Sequence, residues 1–216
     1  MSSLLRPPGG GTDTPADGAR KDPPAFTRAV ATLREATVRT DAVVREAPAP
    51  ARLAPYTYAC TVDLGEQATG RLVYLHDPDG QPAWSGCDRL VAFARVEVEP
   101  AMAADPLLSD VVWTWLTDSL SDRAAVHAAL GGTVTTTASY RYGTLAHVAP
   151  QHEVELRCSW TPLARETSVR AIRGGRVEPA EPGLDLQPHL TALVATLADM
   201  CGLPPDVPGV IGLPSS

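Results

Sequence analysis

The stretch HDPDG, His76 to Gly80, puts two carboxylates and a histidine within five residues. Oxygen donors at alternating positions are what a calcium loop requires. The spacing fails, because counting from Asp77 places Pro82 where that loop needs glycine, and glycine arrives at the fourth position. Asp, Pro and Gly at first, second and fourth positions instead favour a type I turn. The softer metal ligands are scattered. Histidines 76, 127, 147, 152 and 189 and Cys60, Cys87, Cys158 and Cys201 include no C-x-x-C and no paired zinc spacing, although His147 and His152 flank a proline turn. No G-x-S-x-G elbow marks a nucleophile, and no phosphate-binding glycine loop is present outside the Gly9–Gly11 run near the N-terminus. Glu97 and Glu99 share a strand face with Arg95 and could exchange protons, but mixed charge on an exposed strand face is the commoner meaning. No catalytic residue, metal or cofactor is therefore assigned.

Five residues remain as candidates for binding. Arg165, Arg170, Arg173 and Arg176 lie in RETSVRAIRGGR, and Arg/Gly segments can hold RNA by charge and stacking. Glu166, Glu178 and Glu181 surround them. The net charge of −7 repels phosphate backbones, so nucleic acid is expected only through the 165–176 loop. Trp113 is the fifth. It sits two residues before Trp115, roughly 160° around a helix. If Trp115 faces the core, Trp113 faces out, where a tryptophan can anchor a second copy or a protein partner.

The elements that must position these residues follow from periodicity. Asp22-Pro23-Pro24 opens a helix over about 24–38, with Phe26, Val30 and Leu33 inward. TDAVVREA reads as a helical turn, and the three-proline stretch 46–56 as a stiff strap docked on its own domain by Leu53 and Tyr56. From Tyr56 the period becomes two. Strands are expected over 56–64, 71–76 and 89–99, a helix from Ser109 to about 129 stopped by Gly131–Gly132, strands over 133–142 and 153–160, and a last helix ending before Gly202. The order α-β-β-β-α-β-β-α predicts an α+β fold: a five-stranded antiparallel sheet with helices on one face. Residues 1–22 read as a disordered tail, 23–203 as one domain with a flexible loop at 163–183, and 204–216 as an extended tail. No apolar run is long enough for a membrane span or signal peptide. Four dispersed cysteines suggest reduced thiols and a cytoplasmic setting.

The strap EAPAPARLAPY, with ATGRLVYLHDPDGQPAWSG, EPAMAADPLLSDVVWTWL, SWTPL and MCGLPP, resembles an uncharacterised family of high-GC Gram-positive bacteria, domain of unknown function 3000. The resemblance runs from about Phe26 to Leu213. It implies a cytoplasmic protein with no assigned activity, and association with a ribonuclease D-like exonuclease, hence an RNA-processing accessory role. The element order is also similar to that of small dimeric secretion chaperones, which are binding modules. With no catalytic motif, the leading expectation is a non-enzymatic binding or adaptor module that forms a homodimer, through Trp113 or an exposed sheet edge, or takes a protein partner. An enzyme with a dispersed site is the further alternative.

Overall fold

The computed structural model describes residues 22–50, 52–164, 170–173, 176–179 and 183–204. Helix α1 (Pro24–Arg34) is followed by strands β1 (Ala42–Ala47), β2 (Tyr56–Leu64), β3 (Ala68–Gln81) and β4 (Gly86–Glu97). A single turn, α2 (Pro100–Ala103), leads into helix α3 (Leu108–Asp122). Strands β5 (His127–Ser139) and β6 (Gln151–Pro162), a short hairpin of β7 (Arg170–Arg173) and β8 (Arg176–Pro179), and helix α4 (Gln187–Met200) complete the order. The main sheet is antiparallel throughout, with six strands in the order β1-β2-β3-β4-β6-β5.

The expected class and the antiparallel sheet hold. Strand number and order need correction. The sixth strand is β1, formed by the AVVREA stretch expected to be a helical turn. As an edge strand it has no fully buried residue: Ala42 and Val44 lean on the core while Val43 is 44% exposed, an alternation that adjacent valines do not show in the sequence. The β7–β8 hairpin likewise lies inside the expected 163–183 loop. Two boundaries also move. Helix α3 stops at Asp122 and not near 129, because Ala124 takes a left-handed conformation (φ 49°) that breaks the helical path. HAALGG, which reads as helix by propensity, is instead the start of β5, and Gly131–Gly132 sit inside that strand. DPDG is not the reversal between β3 and β4. It is an irregular stretch within β3, and the chain turns at Pro82–Ser85 in a single 3-10 turn.

One face of the sheet carries the core. Tyr58, Cys60, Val62 and Leu64 on β2, Leu72 and Tyr74 on β3, Leu90, Ala92, Ala94 and Val96 on β4, and Val154, Leu156, Cys158 and Trp160 on β6 are all buried against the helices. Their alternation is the expected period of two. Helix α4 contributes Leu190, Leu193, Val194 and Leu197 and approaches β3 so closely that a Cβ at Gly70 would lie 2.6 Å from Leu197 Cδ1. Each fully buried leucine or aromatic side chain contributes roughly 1.5–3 kcal/mol. Thr32 ties α1 to the start of α4 by accepting from the Leu186 N–H at 2.8 Å.

The opposite face has a smaller cluster. Ala59, Val73 and Leu75 are buried there beneath Ala49 and Ala54 of the proline strap and Trp84. Arg71 donates to the Pro48 carbonyl and fixes the strap's start. The strap thus docks on its own domain, but through its alanines: Leu53 is 54% exposed, and Tyr56 packs toward Phe26 on the main core instead.

Candidate functional site

Strand β5 forms one border of the sheet, with β6 on its inner side and no described strand on its outer side. It is thirteen residues long, HAALGGTVTTTAS, and holds no Lys, Arg, Asp, Glu or Pro. β-branched Thr133, Val134, Thr135, Thr136 and Thr137 favour the extended backbone. A register shift between Ala128 and Gly131, with Ala129 at φ 51°, bends its first part away from regular pairing. From Gly131 to Ser139 the ladder is regular. Gly132 is required there: an added Cβ would lie 2.5 Å from the Arg157 carbonyl oxygen and 2.7 Å from Cys158 Cβ. Nearly every residue from Gly131 to Ser139 is exposed, Val134 being half-buried.

Beyond the ladder, the chain up to the start of β6 is held in place and carries apolar side chains outward. Arg141 donates to the Ala149 carbonyl at 2.7 Å and to Gln151 Oε1 at 2.9 Å. Gly143, at φ 64°, begins a 3-10 turn over Gly143–Leu145. Tyr140 meets His152 edge-on with ring centroids 6.1 Å apart, yet is 59% exposed, and Tyr142 is 81% exposed. Leu145 and Val148 add to this exposed apolar group. The opposite edge differs. On β1, Arg45 pairs with Asp63 at 2.5 Å, and Glu46 pairs with Arg34 at 2.9 Å.

A polar network crosses the β3–β4 hairpin. His76 and Asp88 are register partners; Tyr74 donates to Asp88 Oδ1 at 2.6 Å, and His76 Nδ1 lies 2.8 Å from the same oxygen. Phe26 stacks on Tyr74 with centroids 5.3 Å apart. Burial, then the Asp88 charge, pushes the Tyr74 hydroxyl far above its usual range, so it stays a donor. His76 is ringed by Phe26, Tyr56 and Tyr74. A cleft of about 330 Å³ beside this network is lined by Arg28, Cys87 and Thr161 among others. The arrangement braces the β3–β4 hairpin.

A second cleft, about 490 Å³, lies between α3, α4 and the segment after α1. Trp115, Asp118, Asp122 and Arg123 face Asp199 and Arg39 across it. Desolvation raises the Asp199 carboxyl against the opposing pull of Arg123 and Arg39. Arg39 itself holds Asp41 at 2.5 Å, and that hydrogen bond keeps the Asp41 carboxyl below its usual range. Among the described residues, no three His, Cys, Asp or Glu side chains gather to hold a metal ion. Burial pushes the Cys60 thiol up to about 11 and the Cys158 thiol up to about 12, as for packed, unreactive cysteines.

Of the residues singled out from sequence, those described fall on two elements: Trp113 on α3, and three arginines on the β7–β8 hairpin. Trp113 is half-buried and packs against the main core, not free in solvent; Trp115, expected inward, is half-buried and lines the α3–α4 cleft. Arg165 lies outside the described residues. Arg170 and Arg173 fall on β7 and Arg176 on β8, where Arg173 stands opposite Arg176 and Arg170 opposite Pro179. Residues 1–21 and 205–216, expected as tails, also lie outside the described part. Sequence alone does not tell which edge of the sheet is exposed; in the structure β5 is the long uncharged one. Its signal is thirteen residues free of side-chain charge apart from one histidine, in a chain with 25 acidic and 18 basic residues.

No helix among the described residues is long and apolar enough to cross a membrane. No curated protein and no solved structure matches the chain. The family model described as a protein of unknown function, DUF3000, matches residues 22–211, which spans α1, the whole sheet and α4. The chain belongs to that family.

Proposed function

We propose that this protein is a non-enzymatic binding module that associates with a second copy of itself through the outer edge of β5. The observation that carries the reading is the edge strand: long, uncharged and regular over Gly131–Ser139. Soluble proteins ordinarily blunt such edges with lysine, proline or inward charge. Among the described residues the one such device here is the irregularity at 128–131, which leaves the Thr-rich half without a described partner strand. Exposed Tyr140, Tyr142, Leu145 and Val148 beside it supply the apolar area that backbone pairing alone lacks. The net charge of −7 weighs against RNA as the partner of the body of the domain.

The test is size-exclusion chromatography with light scattering on the full chain at tens of micromolar. The expected mass is twice that of one chain, and Thr135→Lys/Thr137→Lys is expected to return it to one. A wild-type chain that runs as a strict monomer overturns the proposal.

A further inference from the structure

Resting on the self-association proposed above, we infer that the two copies pair β5 to β5, antiparallel, about a two-fold axis at Thr136. A two-fold axis normal to the sheet keeps the helices of both copies on the same side. Residues directly opposite across a strand pair share a face. A residue must then face its own counterpart, and paired positions sum to an even number. The regular ladder of β5 begins at Gly131, and the strand ends at Ser139, which restricts the centre to a few positions.

Side-chain matching selects among them. With Thr136 at the axis, Thr135 meets Thr137 and Thr133 meets Ser139 on the open face, so hydroxyl meets hydroxyl. On the helix face Val134 meets Ala138, apolar against apolar, and Thr136 meets itself. Continued outward, Tyr140 falls opposite Gly132. That glycine cannot carry a side chain, since its Cβ would strike Arg157 and Cys158, and the exposed Tyr140 ring is placed to cover it. Aromatic rings compensate for strand glycines in this way. Tyr142 reaches the level of Leu130, which is partly buried at the border of the core. A centre at Thr135 sets Val134 against Thr136 and Gly131 against Ser139. A centre at Thr137 sets Thr133 against Arg141 and Thr136 against Ala138. Neither gives like against like on both faces. The surface is self-complementary, as a two-fold interface requires, and carries no charge to repel its copy.

The experiment is cysteine cross-linking of the full chain in a Cys87→Ser/Cys201→Ser background, which removes the two cysteines that are not buried. Thr136→Cys under mild oxidation is expected to give a covalent dimer at least tenfold faster than Thr135→Cys or Thr137→Cys alone. The last two are expected to cross-link only when mixed. If Thr135→Cys or Thr137→Cys links to itself and Thr136→Cys does not, the register is wrong. If no variant cross-links while light scattering still reports a dimer, pairing through β5 is wrong. A monomer by light scattering removes both the register and the self-association on which it stands.

Discussion

Trp160 and His189 are the least conventional pair in the core, and they make a sharp test of how β6 and α4 are joined. Both are buried, at 0% and 1% exposure, and the Trp160 indole N–H donates to His189 Nδ1 at 3.0 Å. A satisfied neutral hydrogen bond contributes about 0.5–1.5 kcal/mol net, whereas orphaning one buried partner costs about 1–3 kcal/mol. His189→Leu leaves the indole N–H without its acceptor, so it should lower stability by about 1–3 kcal/mol. In a chain of this size that is several degrees of melting temperature. Trp160→Phe removes the donor and also opens space, so its loss should be larger. The double variant replaces both polar partners with apolar groups and should recover part of the sum. The expected coupling is at least about 0.5 kcal/mol. His189 makes a further interaction, so the four-variant cycle, not either single change, isolates the bond. The assay is urea unfolding followed by circular dichroism. Strict additivity, or a His189→Leu chain as stable as the wild type, would refute the reasoning.

Three other predictions concern strand β5 and the cysteines. Gly132→Ala should destabilise the fold by about 1–3 kcal/mol, the range for overpacking, because its Cβ meets backbone and not a movable side-chain tip; an unchanged unfolding midpoint would show the strand can shift. Maleimide should label Cys87 first and Cys201 more slowly in the native protein, while Cys60 and Cys158 react only on unfolding, read by mass spectrometry of the labelled peptides. The same burial sets an alkaline limit. The folded thiols titrate at about 11 and about 12, above the unfolded value, so their contribution is complete below about pH 9 and is lost as pH rises toward those values. The slope is about 1.4 kcal/mol per pH unit per thiol. Cys158→Ala should flatten it, and an identical slope in that variant would count against the assignment.

Much of the architecture could be read from alternation where a strand has one wet and one dry face. EVELRCSW predicts Val154, Leu156, Cys158 and Trp160 inward, and all four are buried. The same holds for Tyr58 to Leu64 and for Leu90 to Val96. Reading failed where burial did not enforce a pattern. The edge strand β1 buries no residue fully, and its adjacent valines, one packed on the core and one exposed, hide the alternation in AVVREA. HAALGG has helical composition, but Ala124 and Ala129 adopt left-handed backbone, a tertiary demand that propensity does not reveal. The DPDG tetrad has turn chemistry and lies within β3, with Asp77 accepting from the Asp79 N–H at 3.2 Å in a local turn of its own. The sites suffered for the same reason. His76 and Asp88 are twelve residues apart, and only the reversal at Pro82–Ser85 makes them neighbours. Trp113 was placed outward by assuming that Trp115 takes the innermost position, whereas α3 buries Val112, Leu116 and Leu120 and leaves both indoles half-covered.

The two borders of the sheet are dressed differently. The β1 side bristles with the Arg45–Asp63 and Arg34–Glu46 pairs, and the proline strap shoulders the face beside it. If β5 is the adhesive rim proposed above, the molecule can find a mate but cannot build a chain, since each union consumes that rim on both members. Crowding should then give pairs that stop growing, and the length of a fibril would be one step.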